Sequence, residues 1–166
     1  LLKPAIHDKD MSVRLQVLEA MALLGYNRAT QLMLASYCRS VFDDECILAM
    51  MTLARVRCMD AVEPLGYIFE QSRAPDRFGM RLVAARALAM LDDYRGRDAA
   101  LTGLRYYSGR LGKASTIRTL AAMALGEMED RTLLGPLEKT LADNDPDVQI
   151  AAAAAILKIL QSAPTY

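Results

Sequence analysis

The chain has 166 residues, 53% of them hydrophobic, with 20 basic and 20 acidic side chains. That is ample apolar mass for one or two domains, and the zero net charge argues against a wholesale nucleic-acid binder. No apolar run reaches the roughly 18 residues of a membrane span, and the cysteines Cys38, Cys46 and Cys58 lack metal-ligand spacing, which reads as unpaired thiols in a reducing, cytoplasmic compartment.

In chain order, a turn around Asp8 and Asp10 leads into a helix containing Val13-Arg14-Leu-Gln-Val-Leu-Glu-Ala-Met-Ala22. An apolar segment over Thr30–Arg39 follows, then the acidic turn Phe42-Asp43-Asp44-Glu45 and the helix Cys46-Ile47-Leu-Ala-Met-Met-Thr-Leu-Ala54. The third pair is Ala61–Gln71, the turn Arg73-Ala-Pro-Asp76, and Met80-Arg81-Leu-Val-Ala-Ala-Arg-Ala-Leu-Ala89. Asp98–Tyr107 precedes Ile117-Arg118-Thr-Leu-Ala-Ala-Met-Ala-Leu-Gly126, and Leu133–Ala142 precedes a helix over 145–160. That last helix is clearly signalled: Asp145 suits the N-cap, Pro146 the first helical position, and Asp147 the positive end of the dipole. Between Val148 and Leu160 its only polar residues are Gln149 and Lys158, so it must be covered on more than one side.

Internal repetition explains the covering. The second helices follow one template: an apolar residue, Arg, two variable residues, Ala-Ala, one variable residue, then Ala-Leu and a small residue. The first copy has Val17-Leu18 in place of Ala-Ala, the last has Gln149 in the Arg slot, and the copy at 46–54 is the weakest. The Arg slot falls at 14, 47, 81, 118 and 149, spacings of 33, 34, 37 and 31 residues. The unit is a helical hairpin, and because one hairpin cannot bury its own apolar face, neighbours stack and share a core. The Ala-Ala positions are expected to be the surface where helices approach closely. The expected fold is all-α, a single array of about five hairpins near 1–25, 26–57, 58–92, 93–126 and 127–160.

The pattern Leu137-x-x-x-Leu141-x-Asp143-x-Asp145-Pro146-x-Val148, followed by the alanine-rich helix, resembles the HEAT repeat. It is most similar to the short bacterial subtype of phycobilisome lyases: Glu63-Pro64-Leu65 and Gly135-Pro136-Leu137 match that subtype's first helix, and Gly126-x-x-x-Asp130 its inter-repeat loop. The resemblance spans the chain, strongest in the last two repeats and faintest in the second. It implies a right-handed α-α superhelix (solenoid), and a ladder in which the Asp before each second helix and the Arg early in it bond along the stack. Asp10 with Arg14, Asp76 with Arg81, Arg118, and Asp145 match this ladder, whereas Ile47 and Gln149 depart from it, so an interruption is expected there. Leu2-x-x-x-Ile6-x-Asp8-x-Asp10-x-x-Val13 overlays the same pattern, so the chain is expected to open partway through a first helix, as a fragment of a longer array.

Chemistry is scarce. The single His7 sits in a turn beside Asp8 and Asp10 with too few ligands for a metal, Asp92-Asp93 reads as a hydrated turn, and no nucleophile has a recognisable base. The expectation is a non-enzyme without cofactor or metal. Its binding surface is expected on the concave ridge of second helices, with Leu82, Val83, Arg86, Thr119, Leu120 and Met123 at the centre, flanked by Glu19 and Thr52. A protein or peptide segment, amphipathic in character, suits that ridge. Two other readings remain: a lyase-type accessory module handling a chromophore or prosthetic group, and nucleic-acid binding through 73–118, which holds ten basic residues against four acids. Helix 145–160 lacks the polar outer face of a terminal repeat, which predicts self-association there or at the N-terminal end.

Overall fold

The computed structural model describes residues 3–37, 43–107 and 113–162, although the side chains of Lys3, Pro4 and Tyr37 are not among those described. Within them the chain is helical throughout, with no strand. The second helices of the hairpins are α1 (Met11–Leu23), α3 (Asp43–Arg55), α5 (Phe78–Ala89), α7 (Lys113–Gly126) and α9 (Pro146–Gln161). Their first helices are a 3₁₀ segment at Lys3–His7, α2 (Asn27–Leu32) running into a π-helical turn at Met33–Tyr37, α4 (Val62–Gln71), α6 (Arg97–Leu104) and α8 (Leu134–Thr140). Consecutive second helices lie against one another from α1 through α9, and α6 touches α8 on the other side.

Several expected boundaries shift. Asp43, Asp44 and Glu45, read as a turn, form the acidic first turn of α3, where carboxylates favour the positive end of the helix dipole. The segment Asp98–Tyr107 ends its helix at Leu104, leaving Tyr106 and Tyr107 beyond it. Arg39 and Phe42 lie outside the described residues.

Why α9 forms is visible atom by atom. Asp145 accepts from the Asp147 amide at 3.0 Å, and Asp143 accepts from the Asp145 amide at 3.0 Å. The same Asp-x-Asp device opens α1, where Asp8 accepts from the Asp10 amide and Asp10 from the Ser12 amide, both at 2.8 Å. Each such cap satisfies amides that the first helical turn leaves without partners.

Helix ends repeat as well. Gly25, Arg57, Asp92 and Glu129 all take positive φ. Just after the first three, the amides of Tyr26, Cys58 and Asp93 donate to the carbonyls of Met21, Leu53 and Leu88. This is the left-handed cap that closes a helix and turns the chain out of it. Only the first of these positions is glycine.

The core is aliphatic and rich in alanine. Leu53, Leu65, Leu82, Leu88, Leu125, Leu137 and Ile159 are buried, together with Ala84, Ala85, Ala121, Ala122, Ala151, Ala152 and Ala155. A Cβ placed on Gly126 would come within 2.8 Å of both Cα and Cβ of Ala155, and one on Gly103 within 2.8 Å of the Ala121 Cβ. The backbones of α7 and α9 meet almost directly, and only small residues permit that. No helix among the described residues is long and apolar enough to cross a membrane. Cys46 is buried and its thiol is raised by that burial, with Asp43 adding to the effect; Cys58 is partly exposed.

Candidate functional site

The stacking of α5, α7 and α9 leaves a groove of about 680 Å³. Thr119, Leu120 and Met123 of α7 line one side, and Ile150, Ala151 and Ala154 of α9 the other. Because α7 and α9 are both second helices, their N-termini fall at the same end, where Ser115, Thr116 and Asp147 lie. The opposite end holds Arg86, Glu127 and Lys158.

Those three side chains form one charged cluster. Arg86 donates through Nε and a terminal nitrogen to Oε1 of Glu127, both at 3.2 Å, and reaches the Met123 sulfur at 3.5 Å. Lys158 binds the other oxygen, Oε2. The Glu127 side chain is only 8% exposed, so the carboxylate needs both cations to compensate its desolvation. The cluster joins three successive hairpins and leaves a net positive charge at its end of the groove.

The expected ridge therefore divides. Arg86, Thr119, Leu120 and Met123 line the groove. Leu82, Val83 and Thr52 do not belong to an exposed ridge: all three are buried in the core, because α5 and α3 each lie between two neighbouring second helices. Glu19 is away from the groove and pairs with Arg55 of the next hairpin. Arg86, expected to face a partner, has its guanidinium already committed to Glu127. Glu127 and Lys158 were missed, although they stand at the same offset, nine residues past the Arg slot, in adjacent copies.

The ladder positions are mixed. Arg118 grips both oxygens of Asp143 in the next hairpin, at 2.6 and 3.0 Å, and donates to the Tyr106 carbonyl at 3.2 Å. The Asp143 carboxyl is held below the usual carboxylate range, first by the Arg118 bond and also by the Asp145 amide. Arg14 donates to the carbonyls of Asp8 and Lys9. Gln149, expected to interrupt the series, donates to the Asp143 carbonyl at 2.6 Å across the same six-residue span by which Arg14 reaches Asp8; a Gln amide supplies the one donor needed. Arg81 breaks the pattern. No hydrogen bond or ion pair joins it to Asp76 among the described residues. Its guanidinium lies over the Phe69 ring, 4.5 Å from the centroid, with a buried Nε that has no acceptor. Asp10 and Asp145 serve as helix caps.

Much of the basic centre is internally paired. Arg73 pairs with Glu70, Arg77 with Asp43, Arg86 with Glu127, Arg95 with Asp93, Arg97 with Asp130 and Arg118 with Asp143. The two adjacent carboxylates turn to different cations: Asp92 binds Arg57 at 2.5 Å, while Asp93 is lowered by its bonds to Arg95. His7 is exposed, and among the described residues no three His, Cys, Asp or Glu side chains gather as a metal site.

No protein-family model and no curated protein matches the chain. Among solved structures, it is similar to the crystal structure of an engineered protein from the Northeast Structural Genomics Consortium, with a TM-score of 0.55 at 18% identity, covering 96% of this chain and 78% of that one. At that identity the likeness concerns the all-helical fold alone.

Proposed function

We propose that this chain is a non-catalytic scaffold, a HEAT-like right-handed α-α superhelix that holds a segment of a partner protein in the groove between α7 and α9. The groove itself carries the reading: its middle is apolar, and its two ends differ in charge, Asp147 at one and the net positive Arg86–Glu127–Lys158 cluster at the other. An amphipathic helix laid along α7 and α9 would rest apolar side chains on Leu120, Met123, Ile150 and Ala154. Its direction would be set by the charged ends. The pairing of six arginines between 73 and 118 with carboxylates of the fold leaves fewer cations for phosphates, which favours a protein segment over nucleic acid. A cytoplasmic setting accords with Cys46 and Cys58, which form no disulfide among the described residues.

Panning a displayed random-peptide library against the chain, with Met123→Glu as counter-selection, tests the proposal. Amphipathic peptides that bind in the micromolar range and lose at least about tenfold affinity on Met123→Glu are the expected outcome. Peptides that bind both proteins equally would place recognition elsewhere.

A further inference from the structure

The first helices of the last two hairpins, α6 and α8, do not close on one another as α7 and α9 do. Two adjoining hollows of about 280 and 710 Å³ lie between them and share Leu101, Arg105 and Pro136 as lining. The hairpin before has a filler at this level. There the Arg95 guanidinium, paired with Asp93, covers Gly66 of α4 so closely that a Cβ would meet it. Arg95 stands fourteen residues past the Arg slot at 81; fourteen past the slot at 118 is the shorter Thr132. Its hydroxyl turns to Asp130 and Arg97 instead, and the furrow stays open.

The lining has an order. Along α6 come Asp98, Leu101 and Arg105, and along α8 and the turn after it Pro136, Lys139 and Asp143. An apolar stretch thus leads to two cations, and a carboxylate stands at each end. The one at the far end, Asp143, is already held by Arg118. Arg105 is the C-cap of α6 and Lys139 lies in the last turn of α8, both exposed. Among the described residues neither side chain has a hydrogen-bond or ion-pair partner, in contrast to the six paired arginines of the basic centre. The carbonyl ends of the two helices offset about half a charge each, so net positive charge remains in the furrow.

We propose that this furrow takes a short acidic segment of a partner protein. An apolar side chain of the segment rests on Leu101 and Pro136, and the carboxylates that follow it meet Arg105 and Lys139. A guanidinium matches a carboxylate with two parallel hydrogen bonds, and the ammonium supplies a second charge one helical turn further on. The ends of the furrow favour a peptide over a phosphate chain. A polyanion running its whole length would meet Asp98 and Asp143, whereas a stretch of two or three acids next to an apolar residue stops short of them. The furrow lies on the first-helix side and shares no residue with the groove between α7 and α9. The proposal therefore does not rest on the groove reading.

An array of short peptides, each with one Leu or Phe followed by two or three Glu, tests it against copies with Gln in place of Glu. Hits are measured in solution by fluorescence anisotropy. The best acidic peptides are expected to bind with a dissociation constant of roughly 10–100 µM, and their Gln copies at least about tenfold more weakly. Arg105→Glu and Lys139→Glu, both at exposed positions and checked for unchanged helicity, should each weaken binding at least about tenfold. Arg28→Glu, at an exposed cation on α2, and Met123→Glu in the groove should leave it within about twofold. An array with no acidic peptide above its Gln copy would overturn the proposal. So would an equal loss on Arg28→Glu, which would mean attraction to overall charge. A short oligothymidylate that binds more tightly than any peptide, and is lost with the same two substitutions, would assign the furrow to nucleic acid instead.

Discussion

The two ends of the molecule are put together differently. From α5 onward, second helices meet through alanine and glycine, Ala85, Ala121, Ala122, Gly126 and Ala155, so that backbones nearly touch, and long-range pairs such as Arg118 with Asp143 cross the seams. Toward the N-terminus the buried side chains are longer and more adaptable, among them Met21, Met33 and Met50. There α2 is six residues long and gives way to a π-helical turn, and Leu23, Leu24 and Tyr26 remain exposed. Small residues specify one approach distance and tolerate no other. Methionine, with three rotatable bonds, accepts several. The same hairpin plan thus yields a closely specified C-terminal part and a more permissive N-terminal one.

The contrast can be broken most sharply at Gly126. Gly126→Leu must push α7 from α9 and should cost about 3 kcal/mol, read from urea unfolding, whereas Met21→Leu in the N-terminal part should cost less than about 1 kcal/mol. Equal losses would remove the distinction. Next in size is Arg118→Met, which strips Asp143 of its guanidinium partner and removes the side-chain donor to the Tyr106 carbonyl in a partly buried setting, and should cost about 2 kcal/mol. Its N-terminal counterpart, Arg55→Met, breaks a pair whose arginine is half exposed, and about 0.5 kcal/mol is expected.

Acid should act on the C-terminal seam as well. The Asp143 carboxyl titrates below its unfolded value, so its contribution is fully present above the ordinary carboxylate range and is lost as the pH falls through about 4 toward the folded value. Hydrogen exchange is expected to show α9 amides losing protection between about pH 5 and 3. In Asp143→Asn that pH-dependent loss should be reduced. The smallest effect concerns the left-handed caps. Glu129 is exposed and adopts φ 54, so Glu129→Gly should raise the unfolding free energy by about 0.5–1 kcal/mol, while Gly25→Ala should lower it by a similar amount.

How much of this was legible in the sequence depends on the helix. The hairpins were readable because the Ala-Ala pair recurs in α5, α7 and α9, and Asp145-Pro146 marks the start of α9. The second hairpin was faint for the reason it is irregular: α2 ends after Leu32, and Ile47 stands in the Arg slot. The groove was only half legible. In α7, Thr119 interrupts the apolar run and marks the side that is left open. Helix α5 offers Arg86, which does line the groove, but the helix is otherwise covered by α3, α4, α6 and α7, and its apolar residues do not say which of them stays free. Leu82 and Val83 were misplaced for that reason. Thr52, a polar residue buried in α3, misled in the opposite sense. The Glu127 and Lys158 pairing lay beyond the template and needed the three-dimensional neighbourhood to be seen.

Contacts between hairpins run chiefly between chain neighbours, which has a mechanical consequence. When the two ends of such a chain are pulled apart, the described helices share the load chiefly with their chain neighbours, and each hairpin is held mainly by the seam beside it. Rupture should proceed from an end, one hairpin at a time, as a series of short force drops in place of a single break. The α7–α9 seam, with backbones in near contact and Arg118 fastened across it, should resist at higher force than the joints around α1 and α2. Under tension the molecule would pay out its N-terminal hairpins first and keep the walls of the groove together longest.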